Sequence, residues 1–313
     1  MTRYRHRLPQ LADTLFLSDG GLETTLIYHE GTELPAFASF ALLDSEQGTA
    51  QLRRYFAIYA DIARRHGLGA VLESATWRAS ADWGAKLGHD AAALARLNRK
   101  AIDLLVEVRR EFETETTPIV ISGNLGPRGD GYRPETRMTE AEAERYHLAQ
   151  IRTFADTDAD MVSAFTLNYV EEAIGVVRAA RATRMPVAIS FTLETDGRLP
   201  SGDVLETAIR GVDAATDGYA EYFMINCAHP THFEHVLAGD ADWIDRIRGV
   251  RANASCKSHA ELDSATELDV GNPVELGRQY RSLRRRLPRL SVVGGCCGTD
   301  HRHVESVCLA LAS

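Results

Sequence analysis

Eight times along the chain a short apolar run is followed by a segment with apolar residues at helical spacing. The runs are Leu15 to Ser18, Ala70 to Leu72, Pro118 to Ser122, Asp160 to Ala164, Pro186 to Phe191, Glu221 to Asn226, Ile247 to Asn253 and Leu290 to Val293. The first helical segment, Gln51 to His66, sets Leu52, Tyr55, Phe56, Tyr59, Ile62 and Ala63 on one face. The others run from about Asp90 to Phe112, from near Thr139 with a capping-box spacing to Glu142, and over Val170 to Ala182, Val204 to Ala215, Pro230 to Leu237, Pro273 to Leu287 and His301 to Leu311. Strands alternating with helices imply a parallel sheet. Eight such units in 313 residues predict one closed (β/α)8 barrel spanning residues 1–313. A doubly wound open sheet is the alternative, but its Gly-x-Gly-x-x-Gly fingerprint is missing, since Gly20-Gly21-Leu22-Glu23 has the wrong spacing.

A barrel of this kind carries its chemistry at the C-terminal ends of its strands. Asp19, Glu73, Asn124, Phe165, Glu194, Cys227, Asn253 and the Cys296-Cys297 pair all fall there. The eighth run ends in Gly294-Gly295-Cys296-Cys297-Gly298-Thr299. Neighbouring side chains of an extended strand point to opposite faces, so two adjacent cysteines serve one metal only where the backbone turns, and glycines ease that turn. An open tetrahedral zinc site needs three protein ligands, and Cys227, after the sixth run in Met224-Ile225-Asn226-Cys227, supplies a third thiol. The alternatives are buried, inert core cysteines or a vicinal disulfide.

Lys and Arg number 35 against 44 Asp and Glu, a net charge of -9 that argues against a nucleic-acid or anionic-membrane surface. No run of eighteen apolar residues occurs, so no membrane span is expected. The basic start, Met1 to Pro9, leads into no apolar segment of the secretory type. Five cysteines in a chain of this length do not form a disulfide framework. A cytoplasmic protein is expected, and no oligomeric state is read from these features. The stretch from Asn253 to Asn272 is long for a connection and is either a lid or a solvated loop.

The motifs Asp19-Gly20-Gly21-Leu22-Glu23-Thr24, Ser122-Gly123-Asn124-Leu125-Gly126-Pro127, Asn226-Cys227 and Gly294-Gly295-Cys296-Cys297-Gly298-Thr299 resemble those of the zinc-dependent homocysteine S-methyltransferases. The likeness covers nearly the whole chain. It implies a TIM barrel whose Zn²⁺ is held by Cys227, Cys296 and Cys297. It also implies a small thiol acceptor and a methyl donor, with homocysteine giving methionine. Asp19 is then the catalytic and substrate-binding carboxylate that takes the acceptor's ammonium, beside the amides of Gly20 and Gly21, with Thr166 and Asn226 among the substrate contacts. No cobalamin, folate or betaine-branch module follows Ser313, which leads to the expectation of a sulfonium donor, S-methylmethionine or S-adenosylmethionine.

One departure concerns the acceptor. The family carries a glutamate at the end of the fourth strand, where Ser163-Ala164-Phe165-Thr166 places Phe165. Either Glu73 or Glu194 replaces that carboxylate, or the acceptor is a thiol without a free amino group. Other readings of the chain are a zinc-binding barrel hydrolase and a redox or zinc-storage protein. Cys256 and Cys308 are expected not to be ligands.

Overall fold

The computed structural model describes residues 2–12, 14–237 and 241–312. Eight parallel strands close a barrel in sequence order. They are β1 (Phe16–Leu17), β2 (Gly69–Glu73), β3 (Ile119–Leu125), β4 (Met161–Leu167), β5 (Val187–Thr192), β6 (Tyr222–Asn226), β7 (Ile247–Ala252) and β8 (Val292–Gly295). Closure is direct, since Phe16 of β1 pairs with Gly69 on one side and with Val292 on the other.

Helical segments follow the strands as expected, the first beginning at Glu46, ahead of the expected Gln51. Ser45 caps Glu46–Arg65 by accepting from the Gly48 amide, Asp90 caps Ala91–Phe112, and Thr139 with Glu142 makes the capping box of Glu140–Ala155. Val170–Thr183, Leu205–Thr216, Pro273–Arg286 and His301–Ala312 follow within a residue or two of their sequence bounds. The segment expected over Pro230 to Leu237 is a single helical turn, Pro230–Phe233, too short to carry a periodicity of its own. Short helices at Ala81–Lys86 and His259–Asp263 were not expected from periodicity. The second lies inside the stretch read as irregular, where Ser258 and Glu261 form a capping box.

Alternation along each strand makes two cores. Ala70, Leu72, Ile119, Ile121, Val187, Ile189, Phe223 and Ile225 face the helices and join the large outer cluster. Phe16, Val71, Val120, Met161, Ala188, Tyr222, Met224 and Val292 face inward and fill the barrel. Space is tight there: a Cβ on Gly69 would sit 2.2 Å from the Phe16 ring, and one on Gly249 would sit 2.5 Å from Met224. Two residues further along each strand the same inward face turns polar, with Ser18, Glu73, Ser122, Ser163, Ser190, Asn226 and Arg251 in sequence register.

The N-terminal end of the barrel is closed by Asp160, which is fully buried. Its carboxylate accepts from the amides of Arg3 (2.9 Å), Tyr4 (2.8 Å) and Ile121 (3.0 Å) and from Arg109 Nη1 (2.7 Å). Removing one partner of a buried, hydrogen-bonded ion pair strands the other charge, at a cost of about 3–5 kcal/mol. Asp160→Ala is therefore expected to lose about 3–5 kcal/mol in urea denaturation. Since this end is remote from the strand C-termini, its specific activity below the transition should match wild type.

Candidate metal centre and active site

Three cysteine sulfurs meet above the polar layer. Cys227 directly follows β6 with φ 54°, a left-handed conformation that a residue with a Cβ adopts only under constraint. Its carbonyl supplies that constraint by accepting from Asn253 Nδ2 (3.0 Å) and lying 2.6 Å from His259 Nε2. Cys296 and Cys297 follow β8 in a turn closed by Gly298 at φ 78° and by Thr299 Oγ1, which donates to the Cys296 carbonyl (2.7 Å). The turn has no room for a larger residue before it, because a Cβ on Gly295 would sit 2.1 Å from Thr299 Oγ1.

The three Sγ atoms lie within 4.8 Å of one another, a spacing that a tetrahedral ion with ~2.3 Å bonds to sulfur can bridge with little movement. Cys227 and Cys296 are joined here as a disulfide, with Cα atoms 5.4 Å apart. The pairing runs between strand ends, so the vicinal Cys296-Cys297 link does not form, and Cys297 is free and exposed. Disulfide formation and metal ligation use the same sulfurs and exclude each other. Cys256 is exposed and Cys308 buried, both away from the cluster.

Asn226 orients Cys227. Its Nδ2 donates to Cys227 Sγ (3.2 Å) and Thr166 Oγ1 (2.9 Å), while its Oδ1 accepts from the Thr166 amide (2.9 Å) and Ser190 Oγ (2.7 Å). A fully bonded amide of this kind fixes the ligand atom it touches. Thr166 also has a left-handed backbone, at φ 62°.

The motif at the first strand ends in a different surrounding from the one its sequence suggests. Asp19 is 2% exposed and is ion-paired through Oδ1 with Arg251 of β7, while its Oδ2 accepts from Tyr55 Oη (2.9 Å). Arg251 also donates through Nη2 to the Gly20 carbonyl (3.0 Å), and its guanidinium lies 5.0 Å from the centre of the Phe165 ring. The Phe165 ring thus stands beside a cation.

A cavity of about 360 Å³ opens over these groups, a size that suits small molecules. Asp19, Gly20, Gly21, Glu73, Phe165, Thr166, Asn226 and the three cysteines of the cluster line it. Glu194 does not; it pairs with His259 Nδ1 (3.2 Å) behind the wall. The stretch after β7 lies across the mouth, with Ser255, His259, Leu262, Asp263, Leu268 and Asp269 among the lining residues it contributes. Arg78, Arg251 and His259 are among the lining residues that escaped the sequence reading. Arg251 had a signal, a charged residue at an inward position of a buried strand, whereas His259 and Arg78 sit in connections with no periodicity to place them.

Glu73 is 3% exposed. It accepts from Ser163 Oγ (3.0 Å), and its Oε2 has no partner among the described residues. Burial pushes its carboxyl up from 4.5 to about 7, against the pull of Arg251 and the serine hydroxyls. The folded state therefore holds this proton over a range in which the unfolded chain has released it. The resulting stability is fully present below the unfolded value and is lost as pH rises through about 7. Urea denaturation should show wild type losing about 3 kcal/mol more than Glu73→Gln between pH values of about 4.5 and 7.

A family model described as Homocysteine S-methyltransferase matches residues 16–311. Betaine–homocysteine S-methyltransferase 1 of Bos taurus is 22% identical over 317 residues, covering 95% of this chain and 72% of the relative. The protein of the same name from Danio rerio is 22% identical over 324 residues, covering 96% and 74%. Among solved structures, the homocysteine methyltransferase MmuM of Escherichia coli in its oxidized form is similar with a TM-score of 0.76 at 19% identity, covering 99% of this chain and 100% of that one. Its metallated form gives 0.72 at 19% identity, covering 96% of each chain. At these identities the structural likeness speaks for the fold, and the family model speaks for descent. With the match running from β1 to the last helix, through both strand ends that carry the cysteine cluster, the chain belongs to the homocysteine S-methyltransferase family and is a methyltransferase.

Proposed function

We propose that the chain transfers a methyl group from an onium donor to the sulfur of a small thiol held at Cys227, Cys296 and Cys297, with Zn²⁺ as the ion of that site. The observation that carries this reading is the convergence of three sulfurs within 4.8 Å at the floor of one cavity. Three cysteine ligands fit zinc by donor chemistry and leave it a fourth position. When bound, zinc supplies the stabilisation of an added sulfur as thiolate, the nucleophilic form, at a pH where a free thiol is mostly protonated. The residues of the chain do the rest. Asn226 holds Cys227 Sγ in place, and the β8 turn aims Cys296 and Cys297. In the transfer the donor's bond to its methyl carbon breaks as the acceptor's sulfur–carbon bond forms. The donor leaves as a neutral thioether or amine, and the acceptor's thiol proton has already passed to solvent.

Trp77, Tyr132, Phe165, Tyr28 and Phe37 line the cavity, and aromatic faces favour a cationic methyl donor. A sulfonium such as S-methylmethionine or S-adenosylmethionine is the proposed donor. The names of the Bos taurus and Danio rerio relatives add betaine, an ammonium donor, as the second candidate.

Homocysteine is the acceptor that the family name brings. A specific observation favours a second reading, a thiol without an ammonium group. Asp19 is already neutralised by Arg251, and Phe165 offers no charge. An ammonium group placed there gains little from a carboxylate whose oxygens are both engaged, and meets a guanidinium instead. Glu73 is the remaining carboxylate of the original pair of candidates that reaches the cavity.

Two measurements check this reading. Reduced protein should bind one zinc per chain, whereas Cys227→Ser, Cys296→Ser and Cys297→Ser each lose it and Cys308→Ser keeps it; undiminished zinc in Cys296→Ser sinks the site. Oxidised protein should take up no zinc until a reductant opens the Cys227–Cys296 bond. For the acceptor, kcat/KM should favour 4-mercaptobutyrate over homocysteine by roughly tenfold or more, the value of one lost charge-assisted hydrogen bond. Strong preference for homocysteine that vanishes in Glu73→Gln would instead assign the ammonium to Glu73.

A further inference from the structure

One group in the cavity wall is used by nothing described so far. Arg78 follows the end of β2 and is 9% exposed, yet its Nε and Nη1 have no hydrogen-bond partner among the described residues. Its guanidinium lies 4.4 Å from the centre of the Trp77 ring and 3.4 Å from that of Trp83. Lys86 packs 3.8 Å from the same Trp83 ring. The two indoles hold the guanidinium without using its donors, since cation–π contacts engage the face and leave the N–H edge free. Burial lowers Arg78 to about 10, which keeps it charged at neutral pH, with Asp130, Tyr132 and Glu23 favouring the charge from a distance.

None of those groups satisfies the free edge. Asp130 Oδ1 accepts from the amides of Tyr132 (2.8 Å) and Arg133 (3.1 Å), and Glu23 Oε1 accepts from Ser39 Oγ (3.1 Å). A buried cation with open donors is costly unless something pairs with it. Arg78, Trp77 and Tyr132 line the same cavity as the cysteine cluster, so a molecule bound there meets the guanidinium, in which Nε and Nη1 each form a fork with Nη2. A carboxylate matches the planar fork of two N–H groups, which a point charge or a neutral amide does not.

We infer that Arg78 is a specificity-determining anchor for a carboxylate carried by one of the two substrates, clamped edge-on between Trp77 and Trp83. Binding of the carboxylate needs no methyl transfer. Its assignment to acceptor or donor rests on the function proposed above. In either case the substrate's non-reacting end is anionic, and Arg78 sets its distance from the reacting sulfur without touching that sulfur.

The binding arm uses the two tryptophans as reporters. Pentanoate and pentanamide are titrated into reduced protein, following tryptophan fluorescence and calorimetry. Pentanoate should bind wild type roughly ten- to a hundredfold more tightly than the amide, the span of one or two charge-assisted hydrogen bonds. Arg78→Gln should erase the difference and Arg78→Lys should keep part of it, with melting temperatures recorded to show that both variants are folded. Equal binding of acid and amide by wild type, or an unchanged preference in folded Arg78→Gln, overturns the inference.

The kinetic arm locates the carboxylate. If the acceptor carries it, Arg78→Gln lowers kcat/KM for 4-mercaptobutyrate but not for 4-mercaptobutanamide. If the donor carries it, the loss appears with 3-(dimethylsulfonio)propionate and not with its amide. Methyl transfer that ignores Arg78→Gln in every pair also overturns the inference. A carboxylate preference in the binding arm without methyl transfer to any thiol would leave the anchor standing and remove the proposed function.

Discussion

Closing eight strands into a barrel forces one inward side chain from each strand into a small shared volume, and everything at the active end follows from how those layers are filled. The lower layer is apolar, with Phe16, Val71, Val120 and Val292 among its members. Two residues on, the same faces carry Ser18, Glu73, Ser122, Ser163, Asn226 and Arg251, all buried. Polar groups at that depth persist only where they bond one another. The result is a connected floor: Ser122 to Ser163 to Glu73 on one side, and Ser190 to Asn226 to Cys227 on the other. The cysteines stand on this floor, so the geometry of the sulfurs is set first by the barrel.

Charge on that floor is arranged economically. The buried ion pair of Arg251 with Asp19 joins β7 to the end of β1 across the barrel mouth and fixes two positions at once. It holds the Asp19-Gly20-Gly21 turn against β7, since Arg251 also reaches the Gly20 carbonyl. It also changes what that turn can recognise. A carboxylate free to meet an ammonium and one locked to a guanidinium present opposite faces to a ligand, although the sequence of the turn is the same. The Phe165 ring beside Arg251 completes the change, because it shields the cation from water without neutralising it.

Two of the six left-handed non-glycine residues among the described residues stand beside the sulfur cluster. Cys227 and Thr166 both sit in left-handed backbone conformations that cost of order 1–3 kcal/mol each. Both are held there by the Asn226 side chain and by bonds to the Cys227 carbonyl from Asn253 and His259. Those last two residues belong to the long connection after β7, so the segment over the cavity mouth is also part of what positions a cysteine of the cluster.

Much of this was legible in the sequence. Periodicity announced the eight units, because strand and helix spacings are local and survive any tertiary context. The glycine frame announced the Cys296-Cys297 turn, because only a glycine-rich backbone places adjacent side chains on one side. The meeting of Cys227 with that pair followed from both lying at strand ends of one barrel. What tertiary structure alone decided is which inward residues face each other across the barrel. Nothing local to Asp19 says that Arg251, 232 residues away, will occupy its carboxylate, and nothing local to Arg78 says that Trp77 and Trp83 will flank it while leaving its donors open. Strand order and register set those partners. The sequence therefore determined the barrel and its sulfur cluster, while packing across the barrel mouth determined the charges that a substrate will meet.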